Sequence, residues 1–266
     1  MYSLGLPEKR CVHKNKIIMQ TVIPTTSKGI ASLLRADFTT QWRNRRAVIL
    51  IVLVPVIILI SWKGLIDKIG GAVVLANSIT IGLTAIGLMG YANSIARDRD
   101  KGIFQRLRVA PVSSWSIMCS RLIVQLAMIL IVTLAVFIVG FYYDQISLSP
   151  AGYIVAVLTA VAGGALYLSI GQVIVGLIKN PETVNSTCRL VYFVFIMVGM
   201  FGEFSNQEQL TKIVRWSPYG VVRHMVASSL HPNTWNMDDS TSLLLAFGYT
   251  IVFASIGIKN FKWSSK

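Results

Sequence analysis

Residues 94–115 read SIARDRDKGIFQRLRVAPVSSW, and seven of them are charged: Arg97, Asp98, Arg99, Asp100, Lys101, Arg106 and Arg108. Acid and base alternate at neighbouring positions. The chemistry they offer is ion pairing and charge-assisted hydrogen bonding, the strongest polar contacts available to side chains. Nothing nearby signals catalysis. The phosphate cradle G-x-x-x-x-G-K-[ST] does not occur, and the dipeptide Gly-Lys is absent from the whole chain. H-E-x-x-H and G-x-S-x-G are absent too. His13, His224 and His231 are scattered without metal-ligand spacing, and Cys11, Cys119 and Cys188 make neither a disulfide framework nor a zinc pattern.

The elements that must position the cluster are apolar. Hydrophobic residues make up 54% of the chain and charged residues 14%, against about 25% in soluble domains. The mean hydropathy is +0.62. Six stretches could cross a bilayer: 47–62, which contains Pro55, then 70–96, 122–143, 152–178, 190–202 and 243–258. A span needs roughly 17 to 25 residues, so the first, fifth and sixth must recruit flanking residues. None of the six carries a Lys, Arg, Asp, Glu or His in its interior. That argues against an ion-coupled carrier and against an intramembrane enzyme, both of which need ionisable groups at depth. A charge at mid-bilayer costs about 2.5 to 3.5 kcal/mol, so seven together would cost roughly 20 kcal/mol. Residues 97–108 therefore form a short connection outside the membrane.

Orientation follows from the basic residues. With the N-terminus inside, twenty of the 25 Lys and Arg fall on the inner side and five on the outer. The positive-inside rule then predicts both termini in the cytoplasm of a multi-pass plasma-membrane protein. The formal charge of +14 reflects basic loops facing anionic lipid and carries no nucleic-acid signature. Residues 1–28 read as a disordered basic tail. Residues 29–46 read as an interfacial amphipathic helix, with Ile30, Leu33, Leu34, Phe38 and Trp42 at helical spacing. The six-span membrane domain is 47–266. Its last outer loop, from Glu203 to Ser242, is predicted to hold short re-entrant or surface helices turning at Pro218 and Gly220.

One face of the second span is polar or small: Asn77, Thr80, Thr84, Gly87, Tyr91 and Ser94 recur at steps of three and four. On the fifth span Tyr192 and Phe195 share a face. Such residues either line a pathway or let helices pack closely.

The order of a long second span, ARDRDKGIFQRLRVAPVSSW, and a third span opening near IMCSRL resembles the permease subunits of type-2 ABC exporters. The matching residues are Asp98, Asp100, Gly102, Arg106, Leu107, Pro111, Ser113 and Arg121, and the closing KNFKW resembles the family's basic-aromatic end. The chain departs from the pattern at Asp98 and Asp100, where Glu is usual, and at Ile103, where Thr is common. The resemblance implies an all-α integral membrane protein of six transmembrane helices from a bacterial plasma membrane. It also implies a non-catalytic half-transporter that pairs with a second permease, identical or not, and docks on a separate ATP-binding-cassette ATPase. That partner would hold ATP and Mg2+, so no cofactor is expected in this chain. The cargo would be amphiphilic or hydrophobic: a drug, an antibiotic, a lipid-like molecule or a peptide. A six-span channel or scaffold without an ATPase is the alternative. On the exporter reading, residues 97–112 form a short cytoplasmic coupling helix. Asp98 and Asp100, alternating with Arg97, Arg99 and Lys101, would make salt bridges within the chain, with Arg43, Arg45 or Arg46 as partners of the carboxylates. Gly102 would break the span, Ile103, Phe104 and Leu107 would give an apolar docking face, and Pro111 would end the helix.

Overall fold

A computed structural model describes residues 26–104, 114–204 and 208–261, and all regular structure among them is helical. The expected N-terminal tail lies almost wholly outside the described residues, as do Arg106, Leu107, Arg108 and Pro111. The first two helices are α1 (Thr26–Arg43) and α2 (Arg45–Ser61). A 3-10 turn and the short α3 (Ile66–Ile69) lead into α4 (Gly71–Ala85). A π-helical stretch, Ile86–Ala92, joins α4 to α5 (Asn93–Asp100). Then follow α6 (Ser114–Tyr142), α7 (Pro150–Leu177) and α8 (Pro181–Phe204). Two short helices, α9 (Glu208–Trp216) and α10 (Pro218–Ser229), precede α11 (Met237–Asn260).

Five of these helical paths are long and apolar enough to cross a membrane; α2, at 17 residues, reaches a sixth only together with α1, from which it is bent by 61°. The chain is thus a multi-pass membrane protein. Its start signals are local. Ser149 and Ser217 each precede a proline at the first helical position and accept a hydrogen bond from the backbone N–H of Gly152 and Gly220, at 3.1 and 3.0 Å. Asn236 and Asp239 close a capping box at the head of α11.

The continuous path α4–π–α5 is the axis of the bundle. In its most apolar window 83% of residues are enclosed by other helices, against 17% for α8 and for α11. The glycines explain how neighbours come so near. A Cβ on Gly87 would meet the backbone carbonyl of Tyr167 at about 2.5 Å, and one on Gly171 would meet the Gly87 oxygen at the same distance. The π stretch and α7 therefore touch backbone to backbone, the small-residue packing that joins helices in lipid. The π-helical turn was not foreseen, because its signal is only the two glycines, Gly87 and Gly90, inside an apolar run.

Two expectations need correction. The fifth span is not 190–202 but a helix of 24 residues, Pro181–Phe204, which takes in Glu182 and Arg189. Both line a groove beside α2 and the second span, and their charges lower the local hydropathy, so a hydropathy window undercounts the helix. The third span likewise begins at Ser114 and includes Arg121, which is buried. In the last outer loop, expected to hold re-entrant or surface helices, α10 has Tyr219, Val221, Val222, Met225 and Val226 all buried. It packs against α4, α7 and α11, and the Tyr219 hydroxyl donates to Asn77 Oδ1 at 3.2 Å.

Gly87→Val should lower the thermal midpoint of the detergent-purified protein by the equivalent of about 1 to 3 kcal/mol, because the facing atoms are backbone and cannot rotate away. Gly248→Ala, which meets nothing within 4 Å, should leave it unchanged. Fluorescence-detected size-exclusion after stepwise heating reads both.

Candidate functional site

The charged cluster gathers one end of the bundle. α5 stops at Asp100, and Gly102 takes φ +66°, a left-handed geometry that ends the helix and that glycine adopts freely. Arg97, Asp100 and Lys101 are on its outer face, with Arg97 at the mouth of a groove. Arg99 points inward and is 1% exposed. Its Nη1 donates to the carbonyl of Val175 at 2.7 Å, and its Nη2 to those of Ile178 and Lys179 at 2.6 and 2.9 Å. The last carbonyls of a helix have no partner within it and carry the negative end of its dipole. A planar guanidinium with several donors answers both needs, so Arg99 caps α7.

Asp98 turns the other way. Its carboxylate meets Arg121 Nη1 at 2.6 Å, with both side chains at most 14% exposed. Arg43 and Arg45, on the basic flank of α1 and α2, are exposed. The expected bridge from Asp98 to that flank is therefore corrected: the partner stands on α6. The reason is depth, since a half-buried carboxylate requires a partner at its own level. The neighbouring Ser120 hydroxyl donates to Asp37 Oδ2 at 2.6 Å and ties α1 to the same end. Ser94 borders a void of about 20 Å3 beside Asp98 and Arg121.

Phe104 departs from expectation as well. Instead of offering an outward apolar face, it is fully buried. Its ring meets Phe261 edge-on at 6.0 Å and 88°, and the Arg121 guanidinium lies 5.0 Å from its centroid. The C-terminal edge of the last helix is thereby joined to the charged junction. Ile103 is partly exposed beside it.

The polar face of the second span is inside the protomer. Asn77, Thr80 and Thr84 are fully buried; Thr80 and Thr84 donate back to the carbonyls of Ala76 and Thr80, at 2.7 Å each. Tyr91 donates to Gln172 Oε1 at 2.7 Å. Phe195 packs edge-on against Tyr167, with centroids 5.9 Å apart. The Tyr91 and Phe195 contacts join helices, whereas those of Thr80 and Thr84 stay within α4.

A groove of about 510 Å3 opens between α2, the second span and α8. Leu50, Ile51 and Met89 give it apolar walls, and Asn93, Arg97, Glu182, Asn185 and Arg189 a polar mouth; Tyr192 is the one member of the earlier sets besides Arg97 to line it. The others were missed because their helices meet only in space. Residues 67–259, well over half of the chain, match the sequence model of the ABC-2 family transporter proteins. No curated protein matches the chain. The chain belongs to the ABC-2 transporter family and is a multi-pass transporter permease, of the kind that works with an ATPase subunit.

Removing one member of the Asp98–Arg121 pair should leave the other half-buried and unpaired. Asp98→Asn and Arg121→Gln should each lower stability by up to about 3 kcal/mol. In a double-mutant cycle, read by thermal melting in detergent, the two losses should fail to add by about 1 kcal/mol or more.

Proposed function

We propose that this ABC-2 family member is the permease subunit of an ATP-driven exporter. It moves an amphiphilic or hydrophobic molecule out of the cytoplasm or inner leaflet, using ATP and Mg2+ held by a separate ATP-binding-cassette subunit. The observation that carries the reading is the groove between α2, the second span and α8, whose apolar wall and charged mouth suit a molecule with one greasy and one polar part. Arg97 belongs both to this mouth and to the junction with Asp98 and Arg99. A push on the junction thus reaches the groove through a single helical turn.

The ATPase docks on residues 97–112, with Arg97, Asp100, Lys101 and Ile103 on the outer side of the contact. Phe104 acts from behind it, bracing the junction against Phe261. A second permease copy faces the groove, since α2 and α8 present exposed Leu50, Leu53, Ile57, Leu190 and Phe193 to whatever lies beside them. The junction and both termini face the cytoplasm of a bacterial plasma membrane.

Co-expression with candidate ATP-binding-cassette subunits should yield a stable complex whose ATP hydrolysis rises several-fold with one member of an amphiphile screen. Asn185→Trp, filling the groove, should abolish that stimulation and leave basal hydrolysis intact. Unstimulated complexes throughout, or solute flux through this chain alone without ATP, would refute the exporter reading. In a Cys-free background, a thiol reagent that cannot cross membranes should label Cys placed at Ser147 in whole cells and spare Cys at Lys101; the reverse pattern would invert the topology.

A further inference from the structure

Charge sets the groove beside α8 apart from the other large hollow of the bundle. That hollow, of about 450 Å3 between α6, α7 and α11 and beside Gln172, has no charged residue in its lining. The groove has three: Arg97 from α5, and Glu182 and Arg189 from α8. Along α8, Glu182, Asn185, Arg189 and Tyr192 recur at steps of three and four, so one face of that helix is turned to the groove.

Arg189 is the telling member. α8 has 24 residues and is about 36 Å long at 1.5 Å per residue, which overshoots a hydrocarbon core of about 30 Å by roughly 3 Å at each end. Arg189 follows Pro181 by eight residues, about 12 Å, so a centred α8 places its Cα about 9 Å inside the core. An arginine rooted at such depth is rare, pairs with an acceptor or faces a wet cavity, and marks a substrate or ion path. Arg189 and Arg97 are both exposed, and neither has an ion-pair partner among the described residues. Glu182 does not neutralise them. It lies in the first turn of α8, where the helix dipole favours a carboxylate. Two guanidinium groups are therefore left over at one mouth, and their strongest complement is an anion.

We infer that the groove selects an amphiphile with an acidic head, held between Arg97 and Arg189, whose apolar tail lies along Leu50, Ile51, Val54 and Met89. Asn185, one turn from Arg189 on the same face, offers the head an amide N–H. The planar fork of a guanidinium suits carboxylate, sulfate and phosphate alike. Bilayer phosphates stay outside the hydrocarbon, whereas Arg189 is rooted below that plane. The occupant is therefore a free amphiphile drawn into the groove, not a phospholipid in its ordinary place. That this molecule is the cargo rests on the exporter reading; that the groove takes it does not.

The full chain is placed in phosphatidylcholine nanodiscs with rising amounts of a long-chain alkyl sulfate carrying a diazirine in its tail, irradiated, and mapped by peptide mass spectrometry. Trimethylammonium and alcohol analogues of the same chain are run beside it. Sulfate adducts around Leu50, Ile51 and Met89 should saturate, while those at Leu244 and Ile251, on the exposed side of α11, should rise in proportion to the probe. The ammonium and the alcohol should label both places in proportion. Arg189→Gln should raise the sulfate midpoint about tenfold, the loss expected for one charged hydrogen bond, and Arg189→Lys should restore part of it. Replacing part of the phosphatidylcholine by phosphatidylglycerol should not displace the sulfate. The comparison of head groups uses the unaltered protein and decides the matter even where a variant does not fold. Saturation by the ammonium or the alcohol at the same midpoint, proportional sulfate labelling in the groove, or displacement by phosphatidylglycerol would each overturn the inference. In the complex with the ATPase, saturable sulfate binding without stimulated hydrolysis would sink the exporter reading and leave the groove's selectivity standing. Equal stimulation by all three head groups would do the reverse.

Discussion

A guanidinium that has left water must find acceptors, and Arg99 finds them in the carbonyls of Val175, Ile178 and Lys179 at the end of α7. That single requirement organises one end of the molecule. With Arg99 turned inward, its neighbour Asp98 is carried round the helix to Arg121 on α6. Two turns of chain further on, Phe104 reaches Phe261 beyond α11. Helices far apart in sequence are thus held by three consecutive features of one short stretch. Charges at this place are costly to bury singly but strongly coupled when paired, which suits a junction that moves as a unit.

The rest of the bundle is built from close approach. With no water to drive helices together inside lipid, association depends on van der Waals contact and on hydrogen bonds between spans. Gly87 against Tyr167 and Gly171 supplies the first, and Tyr91 to Gln172 and Tyr219 to Asn77 the second. The same contacts explain why the hydroxyl and amide groups of the second span face inward. They leave the two sides of that span distinct, one bordered by a groove with a charged mouth and the other by a nearly apolar hollow.

The two hollows suggest a division of labour. The groove beside Arg97 is polar where the charged junction meets it, so a change at the junction alters the groove directly. The hollow beside Gln172 borders the junction at Phe261 and at Tyr91, which also lines the small void beside Asp98 and Arg121.

Much of this was written in the order of residues. The apolar runs gave the spans, the break at Gly102 gave the end of the second, and the acid–base cluster with the downstream Pro-Val-Ser and Arg121 pointed to the family that residues 67–259 match. Those features are local, because hydropathy and helix termination depend on neighbouring residues alone. Tertiary structure decided the partners. That Arg99 faces in while Arg97 faces out, that Asp98 chooses Arg121, and that Phe104 is covered depend on helices dozens of residues away. So does the length of α8, whose Glu182 and Arg189 look like a boundary in a hydropathy window and become groove lining once α2 and the second span stand beside them. Sequence fixes the cost of placing a charge; only the assembled helices determine which groups are near enough to offset it.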